Sequence, residues 1–293
     1  MRYIIFIISV LAIPYVCHAD MLIGEETVYT IKKGDGLILI GARLGVNWRA
    51  MAKENSIDWR MTIHPGKPLR VNTQKIVPKE MENGIVVNIP DRMLYFFKNR
   101  NLRMALPVGL GMPEWRDMTE WRTPEGKFTV LWKDINPTWY VPLSIQKKMQ
   151  ILGHEVKTIV LPGPDNPLGK YVIKLSIPGI MIHETIWPTS VYQFESHGCI
   201  RVLLEHMQSL FDEVTVGTKG EIIYMPVKVA VIKGRVFLEV HNDIYGKIKD
   251  MKALANDLIE KAGVSDRIDR QDVERMLKEK TGIAEDITFN PLP

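Results

Sequence analysis

Six consecutive residues, Ser196-His197-Gly198-Cys199-Ile200-Arg201, set a thiol among a histidine, a glycine and an arginine, and a second histidine, His183, stands sixteen positions earlier. Cysteine is nucleophilic as thiolate, and a neighbouring imidazole or cation lowers its pKa, so these residue types suit thiol acyl transfer. In that chemistry Cys199 is the nucleophile and His183 exchanges its proton. His197, two residues from the thiol, is the competing base or a wall of the pocket. Gly198 lets the backbone turn tightly, so that the Gly198 and Cys199 N–H groups can meet a developing oxyanion. Arg201 can grip a substrate carboxylate or brace the loop. The other common fate of a free cysteine is that of a small buried hydrophobe.

Two other chemistries fit less well. His183, Glu184, His197, Cys199 and His206 are close in sequence, yet Trp187 stands where a His-Glu-x-x-His pair would need its second histidine, and no Cys-x-x-Cys occurs. No metal and no cofactor are therefore expected. Ser196 is a poorer nucleophile than the adjacent thiol.

The apolar run Ile180-Met181-Ile182 reads as a strand that delivers His183 at its end, where a sheet hands side chains to loop-lined pockets. It is one of many short strands punctuated by Gly and Pro: 86–89, 94–97, 104–108, 127–131 and 171–175. This spacing predicts a mainly β catalytic domain over 84–225, an antiparallel sandwich or barrel. One helix follows the cysteine motif, with Leu203, Met207, Leu210, Phe211 and Val214 at helical spacing.

Residues 26–72 read as a small α+β unit of βααβ order, with a strand at 28–31, helices at 37–44 and 48–54, and a closing strand at 69–71. Residues 73–83 read as a linker. The tail, 226–293, predicts two strands and two amphipathic helices. Ile248, Met251, Leu254 and Leu258 share a face of the first, which Gly263 stops, while Asp269 caps the second and Gly282 ends it.

Residues 1–19 have the pattern of a cleavable secretory signal, a basic start followed by an apolar run and Ala19. Its removal takes away Cys17, the first of two cysteines, and leaves no disulfide in an oxidising compartment. No later segment has the length of a transmembrane anchor. The formal charge of +4 argues against nucleic acid as a partner and is compatible with an anionic wall polymer.

The segment around Cys199 resembles the active-site signature of the L,D-transpeptidases (YkuD-type catalytic domain), in which a histidine precedes Ser/Thr-His-Gly-Cys and an Arg or Asn follows. Supporting segments are Arg122 to Phe128, Asn136 to Pro142 and Pro162 to Gly169. Residues 26–72 resemble a LysM module, with Gly36 where that family usually has Thr or Ser. The whole chain is similar to the periplasmic Gram-negative branch.

The resemblance implies that Cys199 attacks the third residue of a peptidoglycan stem tetrapeptide, expels D-alanine and carries a thioester. His183 is then donor and acceptor of the proton, and the main-chain carbonyl of Glu184 orients it. The Glu184 side chain, where glycine is usual, is left to raise imidazole basicity or to face an amine. Candidate acceptors are diaminopimelate, giving 3-3 cross-links, a lysine of an outer-membrane lipoprotein, or water, giving carboxypeptidase or endopeptidase activity. A non-enzymatic wall-binding protein is the alternative from another class. The LysM-like module implies glycan binding. Trp115, Trp121, Trp139 and Tyr140 are candidates for a glycopeptide groove or for core.

Overall fold

The computed structural model describes residues 21–114 and 121–289. The expected signal, with Cys17, and Trp115 lie outside the described residues.

The first unit contains β1 (Leu22–Ile23), β2 (Glu26–Thr30), α1 (Leu37–Leu44), α2 (Trp48–Glu54) and β3 (Pro68–Asn72), with β2 and β3 antiparallel. Asp35 fastens the turn before α1, accepting from Tyr29 Oη at 2.7 Å, the Lys32 N–H at 2.8 Å and Arg43 Nη1 at 2.9 Å. Gly36 occupies the N-cap of α1 and supplies no side-chain bond there. Asn47 caps α2 through its side chain, as the preferred N-cap residues do. Ile40, Trp48, Met51, Leu69 and Val71 form the unit's core.

The stretch 73–83, expected to be a linker, is a packed connection. It carries β4 (Lys75–Ile76), which pairs with β1, and buries Ile76 and Val77.

The catalytic unit follows with β5 (Gly84–Asn88), β6 (Met93–Lys98), β7 (Asn101–Gly111), β8 (Gly126–Ile135), β9 (Trp139–Tyr140), α3 (Leu143–Ile151) and β10 (Ile159–Val160). It continues through β11 (Tyr171–Leu175), β12 (Met181–Glu184), a 3-10 turn (Pro188–Ser190), β13 (Phe194–Ser196), β14 (Ile200–Val202), α4 (Leu204–Glu213) and β15 (Lys219–Ile223). Nine strands form one sheet in the order β13-β7-β14-β12-β11-β8-β15-β5-β6. Because β6 also pairs with β7, the sheet closes into a barrel with β13 outside the ring. Closure removes the free edges of the ring that would invite pairing with other chains, and leaves the short β13 at its margin.

The barrel is mainly β as expected, but it is mixed rather than antiparallel. The pairs β12–β14, β15–β5 and β13–β7 are parallel. Parallel neighbours need crossovers of a dozen or more residues, and the segment between β12 and β14 is long enough to make one. Ile85, Leu94, Val108, Ile173, Ile182 and Ile200 fill the interior, and Met207, Leu210 and Phe211 of α4 cover it.

The tail folds as β16 (Val227–Ile232), β17 (Arg235–Val240), α5 (Met251–Lys261), α6 (Arg270–Glu279) and β18 (Ala284–Asp286), a three-stranded sheet with two helices packed on it. Asp250 and Asp269 cap the two helices. The second ends at Lys280 in the left-handed region, and Gly282 instead lies against the His241 ring.

A buried ionic cluster joins the parts. Lys228 Nζ lies 2.8 Å from Asp91 Oδ2, 2.9 Å from Glu239 Oε1 and 2.7 Å from the Ile76 carbonyl. Glu239 accepts from the Ile76 N–H at 2.6 Å and contacts His241 Nε2 at 2.6 Å. Asp91, Glu239 and His241 converge as metal ligands would. The Lys228 ammonium already supplies the cation among them. Among the described residues, no helix is long and apolar enough to cross a membrane.

Candidate active site

Strands β12 and β14 run side by side, with Ile182 opposite Ile200 and His183 opposite Arg201. This parallel register brings His183 alongside the segment that carries Cys199. His183, Ser196, His197, Cys199 and Arg201 all line one cavity of about 570 Å³.

His183 is buried, and its Nδ1 donates to the Glu184 carbonyl at 2.5 Å. A carbonyl only accepts, so the proton resides on Nδ1 and Nε2 is left with a lone pair. Burial, helped by the Arg201 charge, lowers the His183 pKa to about 4 against the opposing pull of the Glu184 carbonyl. The imidazole is neutral at pH 7.

Cys199 is half-buried, with its Sγ 3.4 Å from the Gly179 carbonyl. Burial pushes the thiol up, overcoming the Met181 backbone, Lys174 and Arg201. The resting pair is thus thiol and neutral imidazole.

Ser196 serves the loop. Its Oγ donates to the Cys199 carbonyl at 2.5 Å and accepts the Gly198 N–H at 3.2 Å. The Gly198 amide is therefore turned into the loop, contrary to the oxyanion role expected of it, because the hydroxyl two residues earlier captures it. Gly198 itself is required by its φ of +104°.

His197 Nε2 lies 3.1 Å from Lys148 Nζ, and its ring meets Trp121 edge-on at 4.5 Å between centroids. Burial, then Lys148 and Arg201, lowers its pKa to about 4. Its Nε2 is engaged by the lysine.

The Glu184 side chain does neither of the things left open for it. Its Oε2 accepts the Lys170 N–H at 3.1 Å, and its methylenes pack on Gly169. It binds the 166–170 loop to β12.

Arg201 reaches the cavity wall with its guanidinium 5.3 Å from the Trp187 ring centroid. Its Nε is buried without a hydrogen-bond partner among the described residues. Among the described residues the wall carries Lys148 and Arg201 and no Asp or Glu. It favours anions.

Three contributors were not foreseen. Helix α3 places Ser144, Ile145, Lys148 and Met149 on the wall, yet none of its residues is buried, so it has no apolar stripe to read in sequence. Trp187 lines the wall with Trp121 and Trp139, whereas Tyr140 does not line it and is 72% exposed. Tyr245, in the C-terminal tail, donates through Oη to the Gly111 carbonyl at 2.7 Å and accepts the Thr123 N–H at 3.0 Å. Thr123 Oγ1 in turn donates to the Gly198 carbonyl at 2.9 Å.

A thiol, a neutral imidazole with a fixed tautomer and a cationic cavity at a barrel's strand ends define a cysteine acyl-transfer enzyme. The L,D-transpeptidase catalytic domain model matches residues 82–229, and the LysM domain model matches 29–72. The Escherichia coli (strain K12) protein "Probable L,D-transpeptidase YcfS" is 31% identical over 234 residues, covering 78% of this chain and 72% of that protein. "Probable L,D-transpeptidase YbiS" of the same strain is 28% identical over 240 residues, covering 80% and 76%. A solved L,D-transpeptidase from Mycobacterium smegmatis superimposes with a TM-score of 0.35 at 20% identity, over 52% of this chain and 63% of that one. The chain belongs to the L,D-transpeptidase family and carries a LysM domain.

Proposed function

We propose that Cys199 attacks the carbonyl of the third stem residue, the L-centre of diaminopimelate, in a peptidoglycan tetrapeptide. His183 Nε2 takes the thiol proton as the C–S bond forms, then passes it to the departing D-alanine amine. The product is a thioester on Cys199 and free D-alanine. An acceptor amine then attacks and loses its proton to His183, the C–S bond breaks, and the departing sulfur takes that proton back, which restores the thiol and neutral imidazole and completes a ping-pong exchange. Diaminopimelate as acceptor gives a 3-3 cross-link, and a lipoprotein lysine gives anchoring. The Cys199 N–H faces the developing oxyanion and Arg201 holds a stem carboxylate.

The observation that carries this reading is the His183 Nδ1 bond to the Glu184 carbonyl, which fixes the tautomer that a base toward the thiol requires. The LysM unit binds N-acetylglucosamine polymers and holds the enzyme on the wall. The segment 1–19 exports the chain to the periplasm.

The test uses residues 20–293 with tetrapeptide muropeptides and reads D-alanine release and the thioester by mass. Activity surviving intact in Cys199→Ala would falsify the nucleophile assignment. Loss of the base costs about 10²–10⁴-fold in such chemistry. His183→Gln is expected in that range and His197→Gln well below it, and the reverse order would exchange their roles. Muropeptides from cells with and without the protein identify the acceptor.

A further inference from the structure

The LysM unit is packed against the barrel rather than tethered to it. Ala42 of α1 is buried with Val191 and Leu203 of the catalytic unit. Gly45 ends α1 so close to Met93 and Pro107 that a Cβ there would come within 3.1 Å of the one and 3.2 Å of the other. Arg43 adds an ion pair to Glu205 at 3.3 Å.

This docking makes the two cavities share a wall. A groove of about 710 Å³ runs along the start of α1, past Ile38, Trp48, Trp59 and Met61, and is closed on one side by Thr189 of the catalytic unit. Trp187 lines the Cys199 cavity. Two residues span at most about 7 Å of extended chain, so one side of the 187–189 segment faces each site. Trp59 and Met61 in the groove and Trp187 at the cavity stay 56%, 68% and 46% exposed, as a surface waiting for a large ligand leaves them.

We propose that the groove and the cavity hold one and the same peptidoglycan strand, the glycan along the LysM unit and one of its own stem peptides at Cys199. The LysM unit then selects and orients the acyl donor in cis instead of merely holding the enzyme near the wall. This rests on the glycan-binding reading of the LysM unit given above. A rigid junction is what the role requires. Binding energy from a remote part of a substrate helps the reacting centre only if the two are held in fixed relation.

The test compares D-alanine release from a single disaccharide tetrapeptide and from a chain of several such disaccharides, with the whole protein. The chain should show a KM at least about tenfold lower, since a second contact on the same molecule acts at high effective concentration. Saturating peptide-free glycan oligomers should erase that advantage, and in Trp59→Ala and Met61→Asp the ratio of chain to single-unit kcat/KM should fall toward one.

Calorimetry of the peptide-free oligomers with the whole protein separates the two readings. Binding without any chain-length advantage overturns the shared strand and leaves the LysM assignment standing. An advantage that persists with oligomers present and in both variants also overturns it. No binding and no advantage removes both.

Discussion

Gly169 and Glu184 occupy each other's space: a Cβ on Gly169 would lie 2.6 Å from the Glu184 Cβ and 2.8 Å from its Cγ and Cδ. Gly169 also has a φ of +65°, where a side chain is strained in any case. The glutamate fits beside His183 because the facing residue has no side chain. Gly169→Ala should therefore destabilise the protein by about 2–4 kcal/mol, combining backbone strain with overpacking. In a Glu184→Gly background the same change should cost only about 1 kcal/mol, the strain alone. Denaturant midpoints of the four proteins measure this coupling, and additive effects would show that the two residues do not meet.

The pH dependence of Cys199 acylation should follow the lowered imidazole. His183 titrates near 4 because burial disfavours its charged form, so the base is present at all higher pH. Acylation by a carbapenem should hold steady down to about pH 5 and halve near pH 4, whereas an ordinary histidine would halve it near ~6.5. Alkylation of the thiol by iodoacetamide should rise only above the ordinary thiol value of 9.0, since burial raises the Cys199 pKa. A preformed thiolate–imidazolium pair would show instead as rapid alkylation at neutral pH.

Tyr245 ties the tail to the nucleophile loop. Tyr245→Phe leaves the Gly111 carbonyl and the Thr123 N–H without their partner, at about 1–3 kcal/mol for each buried group. Because Thr123 holds the Gly198 carbonyl, acylation should also slow several-fold while its acid midpoint stays near 4. A midpoint that moved would mean that the change reaches His183 and not the loop alone.

The Lys228 cluster should behave as a buried ion pair does. Lys228→Met leaves Asp91 and Glu239 facing each other without their shared cation and should cost about 3–5 kcal/mol. The sign of its pH dependence follows from two groups. Burial raises the Glu239 carboxyl, but Lys228 and His241 overcome it and hold it near 2, so its stabilisation is full above the ordinary carboxylate value of 4.5 and is lost as pH falls toward 2. Burial lowers the His241 pKa, so its unfolded form takes up protons first and stability begins to fall below 6.5. Unfolding followed by circular dichroism from pH 7 to pH 4 checks the direction, and stability rising on acidification would contradict it.

Much of the site was legible because its chemistry is local. Ser196, His197, Gly198, Cys199 and Arg201 are neighbours in the chain, and residue type alone marks a thiol with a base. The elements around them were also legible where burial is one-sided: α4 shows its apolar face, and β11 has the bounds that its sequence suggests. Helix α3 was not, since a helix with no buried residue leaves no period to find. Nor was the parallel pairing of β12 and β14, because strand direction depends on a crossover and not on the strand's own residues.

The sequence by itself thus marked a candidate nucleophile, its candidate bases and the class of acyl chemistry, all of which reside in side-chain types a few positions apart. Only the tertiary structure decided which histidine keeps a lone pair. It gave His183 Nδ1 to a carbonyl and set His197 Nε2 against Lys148, a residue 49 positions away. It likewise turned the Glu184 carboxylate to Lys170 and brought Tyr245 to the Cys199 loop. A hydrogen bond is satisfied by whichever group the fold brings within about 3 Å, and that proximity is not written in any local pattern.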